Sequence, residues 1–185
     1  MRTDLKDGDI LLYHVLPSDK LDIQRLISLG EEDGSGADYR YYHAALVMDA
    51  AHDRGFEMNP PCSAYTSLSA QEWDRIDVFR PTVPLDVVKL LAWCRGDIGT
   101  AYPYGQILKF LEADIAAEVT GLSVLEKWLD APFSANNPHW EVCSATVAAA
   151  LDAASNGMMG WTKPNANERP CDLTAGNVIL IAEGQ

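Results

Sequence analysis

The order of its segment types constrains this chain most. Before Pro81 the sequence breaks into short apolar or alternating runs. Ile10-Leu11-Leu12-Tyr13-His14-Val15 follows Gly8-Asp9 and is long enough for a buried strand. His43 to Ala50 reads as a second strand, Ala51 to Gly55 as a turn, and Phe56-Glu57-Met58-Asn59 as a hairpin partner halted at Pro60-Pro61. Arg75 to Arg80 alternates and stops at Pro81. One helix interrupts this series, capped by Ser18 and running to about Leu29 before a stop at Gly30. An acidic, glycine-rich loop from Glu31 to Asp38 follows it.

After Pro81 the apolar spacing becomes helical. Pro84 starts a run from Leu85 to about Ile98, Gln106 to Val119 is amphipathic, and Leu122 to Leu129 suits a third helix. A small-residue run holding Cys143 ends near Ser155-Asn156-Gly157, and Asn177 to Ala182 returns as a last strand. Strands, then helices, then one strand predict an α+β fold, with an antiparallel sheet of at least three strands packed against helices.

A chain of 185 residues is enough for one domain with a sizeable core, so residues 1–185 are expected to fold as a unit. The net charge of −13 opposes nucleic acid and anionic lipid as partners, because each approach would be repulsive. The first residues are too polar for a signal peptide, and no apolar stretch approaches the ~18 residues that cross a bilayer. Synthesis in the cytoplasm is expected, with any export by signal-independent transport or phage delivery. No integral membrane segment, metal or other cofactor is expected, and the oligomeric state is left open.

None of the four cysteines (Cys62, Cys94, Cys143 and Cys171) forms a C-x-x-C pair, which argues against a zinc knuckle or thioredoxin-like site. Cys94 sits in the apolar run Leu90-Leu91-Ala92-Trp93-Cys94 and reads as a core residue. Cys62 and Cys171 follow prolines and read as loop or edge residues.

Cys143 differs. It lies near the start of its helix, where partial positive charge and free N–H groups favour a thiolate and can hold a developing oxyanion. A cap at Asn137 would put it in the second turn, and a start nearer Glu141 in the first. His43 opens a strand and titrates in the range that suits proton exchange with a thiol. A third polar group must orient the imidazole: Glu57 on the hairpin partner, with Asn59 and His52 as competitors. A local rival pairs Cys143 with His139, four residues upstream on the same helix face. Tyr102, Tyr104 and Trp140 could line a substrate cleft.

Taken in order, these segments resemble one family. The matching features are Gly8-Asp9-Ile10-Leu11-Leu12, His43-Ala44-Ala45-Leu46-Val47-Met48, Gly55-Phe56-Glu57-Met58, Gly99-Thr100-Ala101-Tyr102-Pro103-Tyr104, Trp140-Glu141-Val142-Cys143-Ser144 and Pro170-Cys171-Asp172-Leu173. Histidine precedes cysteine, as in the circularly permuted NlpC-type papain-like cysteine hydrolases of the YiiX/YaeF-like group. The long acidic insert before His43 and Cys171 between Pro170 and Asp172 depart from that pattern. The resemblance implies a papain-like sheet packed against helices, Cys143 as nucleophile, His43 as base and Glu57 as the orienting residue. It implies hydrolysis of an amide bond in a peptide or peptidoglycan-like substrate. An acyltransferase or thioesterase acting on a lipid or ester, and a non-catalytic binding module on the same fold, are the alternatives.

Overall fold

In a computed structural model, residues 4–14, 41–102, 143–161 and 170–184 are described. The expected helices at 18–29, 106–119 and 122–129 and the loops at 31–38 and 134–138 lie outside them.

Six strands form one antiparallel sheet: β1 (Ile10–His14), β2 (Tyr41–Asp49), β3 (Arg54–Asn59), β4 (Cys62–Ser67), β5 (Ile76–Pro81) and β6 (Val178–Ala182). Their spatial order is β4-β3-β2-β1-β5-β6. Two helices are described, α1 (Val87–Asp97) and α2 (Cys143–Ser155), which pack on each other. The architecture is α+β.

Alternation along the strands divides the interior in two. Ile10, Leu12, Ala44, Leu46, Met48 and Phe56 turn to the helix side, meeting Leu90 and Cys94 of α1 and Val147, Ala148, Leu151 and Ala154 of α2. Leu11, Ala45, Val47 and Val78 turn to the other face and pack with Leu68 and Ile76. The small residues of α2 let its backbone come close to β2 and β3, and ten of its thirteen residues are buried. A core of this kind stabilises by the area it removes from water, at about 25 cal/mol per Å².

β1 is tied into the centre at its start. Gly8 adopts φ +90°, a conformation that disfavours residues with a Cβ, and its N–H donates to the Val47 carbonyl at 2.8 Å. Asp9 is fully buried and holds the Arg80 guanidinium through two contacts of 2.7 Å, bracing β1 against β5.

Several boundaries differ from the expected ones. β2 begins at Tyr41, so His43 is its third residue rather than its first. Tyr13 faces His43 while His14 faces Tyr41, so Tyr42 is an extra residue at that end of the strand. α1 begins at Val87 because the Asp86 carboxylate accepts the Lys89 N–H at 3.1 Å, a cap that supersedes Pro84 as the start. Pro60-Pro61 does not end the meander. Asn59 pairs with Cys62 across it, so the two prolines are the turn into β4, an edge strand for which no element was expected, with Cys62, expected at a loop or edge, as its first residue.

Candidate active site

The site is laid out by strand register. Tyr13 on β1 is directly opposite His43 on β2. Ala45, two residues along from His43, is opposite Glu57 on β3, and Glu57 is opposite Ala64, two residues before Thr66 on β4. Side chains repeat every second residue on one face, so Tyr13, His43, Glu57 and Thr66 form a stepped row across four neighbouring strands.

His43 and Glu57 meet within that row. Nε2 of His43 lies 3.0 Å from Oε2 of Glu57, and both side chains are largely buried, at 14% and 16% exposed. An ionised carboxylate only accepts, so Nε2 carries the proton and Nδ1 is left for another partner. The Cys143 side chain is hydrogen-bonded to the same imidazole.

The strands also explain how the sulfur arrives. Val47 directs its N–H and C=O at β1, bonding the Asp9 carbonyl and the Gly8 N–H at 2.8 Å each. Alternation then directs the N–H groups of Leu46 and Ala44 toward β3. The β2–β3 pairing ends at Ala45 and Glu57. The Ala44 N–H is thus left over by the ladder, and it hydrogen-bonds the Cys143 sulfur, as does the Ser144 N–H. Cys143, 8% exposed, opens the described helix and enters where β2 and β3 part. Whether Asn137 or a residue nearer Glu141 caps this helix lies outside the described residues.

Electrostatics follow from this packing. Burial works against both charged forms and is the largest single effect on each. The opposing charge outweighs it. The Cys143 sulfur and the Glu57 carboxylate push the His43 imidazole up to about 10, and the imidazolium and two N–H groups hold the Cys143 thiol below its ordinary value. Burial would raise the Glu57 carboxyl, but His43 and the Thr66 hydroxyl keep it lowered. The arrangement therefore favours a thiolate beside an imidazolium, backed by a carboxylate.

The competing third residues go elsewhere. His52 is 71% exposed and its Nδ1 pairs with Asp49 Oδ1 at 2.8 Å. Asn59 is exposed at the end of β3. Tyr102 is half-buried, and its N–H donates to the Pro61 carbonyl at 2.9 Å. This ties it to the β3–β4 turn, at the end of the sheet that carries His43 and Glu57. Tyr104, His139 and Trp140 lie outside the described residues. Among the described residues no group of three or more His, Cys, Asp or Glu side chains is arranged to hold a metal ion. No helix among them is long and apolar enough to cross a membrane.

The sequence reading passed over Tyr13, whose ring centroid is 5.1 Å from that of His43. It also passed over Thr66 and Gln71. The run Ser63-Ala64-Tyr65-Thr66-Ser67 that leads to them is small and polar, with little hydrophobic pattern to signal it.

Comparison with protein-family models, curated proteins and solved structures gives no match to this chain.

Proposed function

We propose that this chain is a thiol hydrolase of the permuted NlpC-type papain-like kind, cleaving an amide bond in a peptide or peptidoglycan-like substrate. One observation carries the reading: a single buried imidazole is hydrogen-bonded to the Cys143 thiol on one side and to Glu57 on the other. An inert core cysteine has no use for that pairing.

In this reading the Cys143 thiolate attacks the substrate carbonyl carbon and the carbonyl oxygen becomes an oxyanion. Backbone N–H groups at the helix start stabilise that charge. The His43 imidazolium gives its proton to the leaving amine as the C–N bond breaks, leaving a thioester on Cys143. Neutral His43 then takes a proton from water, the resulting hydroxide attacks the thioester, and the thiolate departs. Glu57 keeps the proton-carrying Nε2 turned away from the sulfur throughout. Tyr102, tied to the β3–β4 turn at the same end of the sheet, borders the substrate cleft in this reading.

The test uses defined wall peptides and p-nitrophenyl acyl esters in parallel, with intact-mass detection of the acyl-enzyme. Turnover of an amide substrate through an adduct on Cys143, absent in Cys143→Ala, is the expected result. Turnover of esters alone would move the assignment to an acyltransferase or thioesterase. A Cys143 no more reactive than an ordinary thiol would reduce the protein to a binding module.

A further inference from the structure

Beyond the three residues of the proposed site, the row across the sheet continues into a hydrogen-bonded chain. The Tyr13 hydroxyl donates to Gln71 Oε1 at 2.8 Å. Gln71 Nε2 donates to Thr66 Oγ1 at 2.9 Å and to the Ser67 carbonyl at 3.1 Å. The Thr66 hydroxyl hydrogen-bonds the Glu57 carboxylate, which meets His43.

The direction of this chain is fixed by its chemistry. The Ser67 carbonyl can only accept, so it selects the amide orientation in which Nε2 faces Ser67 and Thr66. Oε1 must then face Tyr13, and Tyr13 must donate. Both Nε2 hydrogens are used, and one of them occupies the Thr66 oxygen as an acceptor. The single hydrogen of Thr66 is thereby left for Glu57. Burial, with the Glu57 charge and Tyr42 nearby, pushes the Tyr13 phenol far up, so it keeps the proton it donates. Its ring also lies tilted against the His43 imidazole, with the planes 51° apart, closing the circuit from the other side. Leu68–Ala70 forms a short helical turn that brings Gln71 back onto the end of β4.

We propose that Thr66, Gln71 and Tyr13 are positioning residues, which fix the Glu57 carboxylate and the His43 ring and so hold the proton on Nε2 and Nδ1 toward the sulfur. Thr66 acts directly on Glu57. Gln71 sets which way the Thr66 hydroxyl points. Tyr13 locks Gln71 and packs the imidazole. This inference rests on the thiol-hydrolase reading of the same site.

The experiment follows iodoacetamide modification of Cys143 in the folded protein from pH 4 to 10, residue by residue, by peptide mass spectrometry. Thr66→Val keeps the shape and removes the hydroxyl. Its midpoint for Cys143 labelling should move up by about 0.5–1 pH unit, and Thr66→Ser should return it to the wild-type position. Tyr13→Phe keeps the ring and should shift the midpoint the same way by less. An unshifted midpoint in both Thr66→Val and Tyr13→Phe overturns the proposal, as does a uniform loss of labelling at every pH, which marks a merely structural role. Should Thr66→Val fail to fold by circular dichroism, Tyr13→Phe with Thr66→Ser decides. His43→Ala is the control for the underlying reading. If it leaves the Cys143 profile unchanged, the hydrolase assignment fails. If it abolishes the lowered midpoint while the positioning variants do nothing, only the positioning proposal falls.

Discussion

Two buried thiols sit on the two described helices, which pack against one face of this sheet, and they behave in opposite ways. Cys94, near the end of α1, is pushed up to about 12, chiefly by burial and further by the Asp97 carboxylate. Cys143, at the start of the described α2, is held below the ordinary thiol value although burial opposes it as well. The surroundings, not the depth, separate them. One thiol has a carboxylate nearby, and the other has an imidazole, the Ala44 N–H that a parting pair of strands leaves unused, and the Ser144 N–H of its own helix. A thiol is made reactive by what its thiolate can bond, and removal from water alone makes it inert.

The sharpest way to break this contrast is His43→Ala. Without its counter-charge Cys143 should resemble Cys94, and its iodoacetamide labelling rate at pH 6.5 should fall about 100-fold or more. Labelling rates by peptide mass spectrometry check this. In the unmodified protein the same measurement across pH should show Cys143 labelled well below pH ~8.5 while Cys94 stays unlabelled through pH 9. The sign follows from the shifts. His43 stays charged up to about 10, and the thiolate persists down to the lowered Cys143 value, so the reactive pair spans the neutral range.

Glu57→Gln should act more weakly, slowing Cys143 labelling at pH 6.5 about tenfold, because the ring loses its anchor but keeps the sulfur. It should also change stability in a pH-dependent way. A carboxyl held below its ordinary value contributes stability above the usual carboxylate range and loses it as pH falls through the lowered value. Wild type should therefore exceed Glu57→Gln by about 1 kcal/mol at pH 7 and approach it near pH 3, as read from denaturant midpoints. The smallest effect on the contrast is expected from Cys94→Ala. It should leave Cys143 labelling unchanged and cost about 1 kcal/mol of stability from a small cavity in the helix-side core.

Local patterns made much of the sheet legible. The runs at Ile10, His43, Phe56, Arg75 and Asn177 all correspond to strands, because apolar alternation and flanking turn residues act within a few positions. β4 was missed for a physical reason. Cys62–Ser67 is an edge strand of small and polar residues, so hydrophobic pattern carries little of its signal. The insertion of β1 between β2 and β5 is a long-range pairing that no local window contains. The types of residue at the candidate site were readable, since a helix-start thiol, a strand histidine and a hairpin carboxylate each suggest a chemistry. Their meeting was implied only by the family resemblance and not by any local pattern, and the Thr66–Gln71–Tyr13 chain was implied by neither. Both depend on strand register, which places His43 one step from Glu57 and Thr66 one step further.

The stepped row has a consequence for quality control of the molecule itself. Four strands each contribute one member, and a slip of one residue in any of them would send that member to the opposite face while leaving a compact body behind. Reactive-thiol titration against total protein therefore counts copies in which β2, the strand that carries His43, is correctly registered, and a fraction misaligned there would be invisible to helix content yet silent toward iodoacetamide at neutral pH.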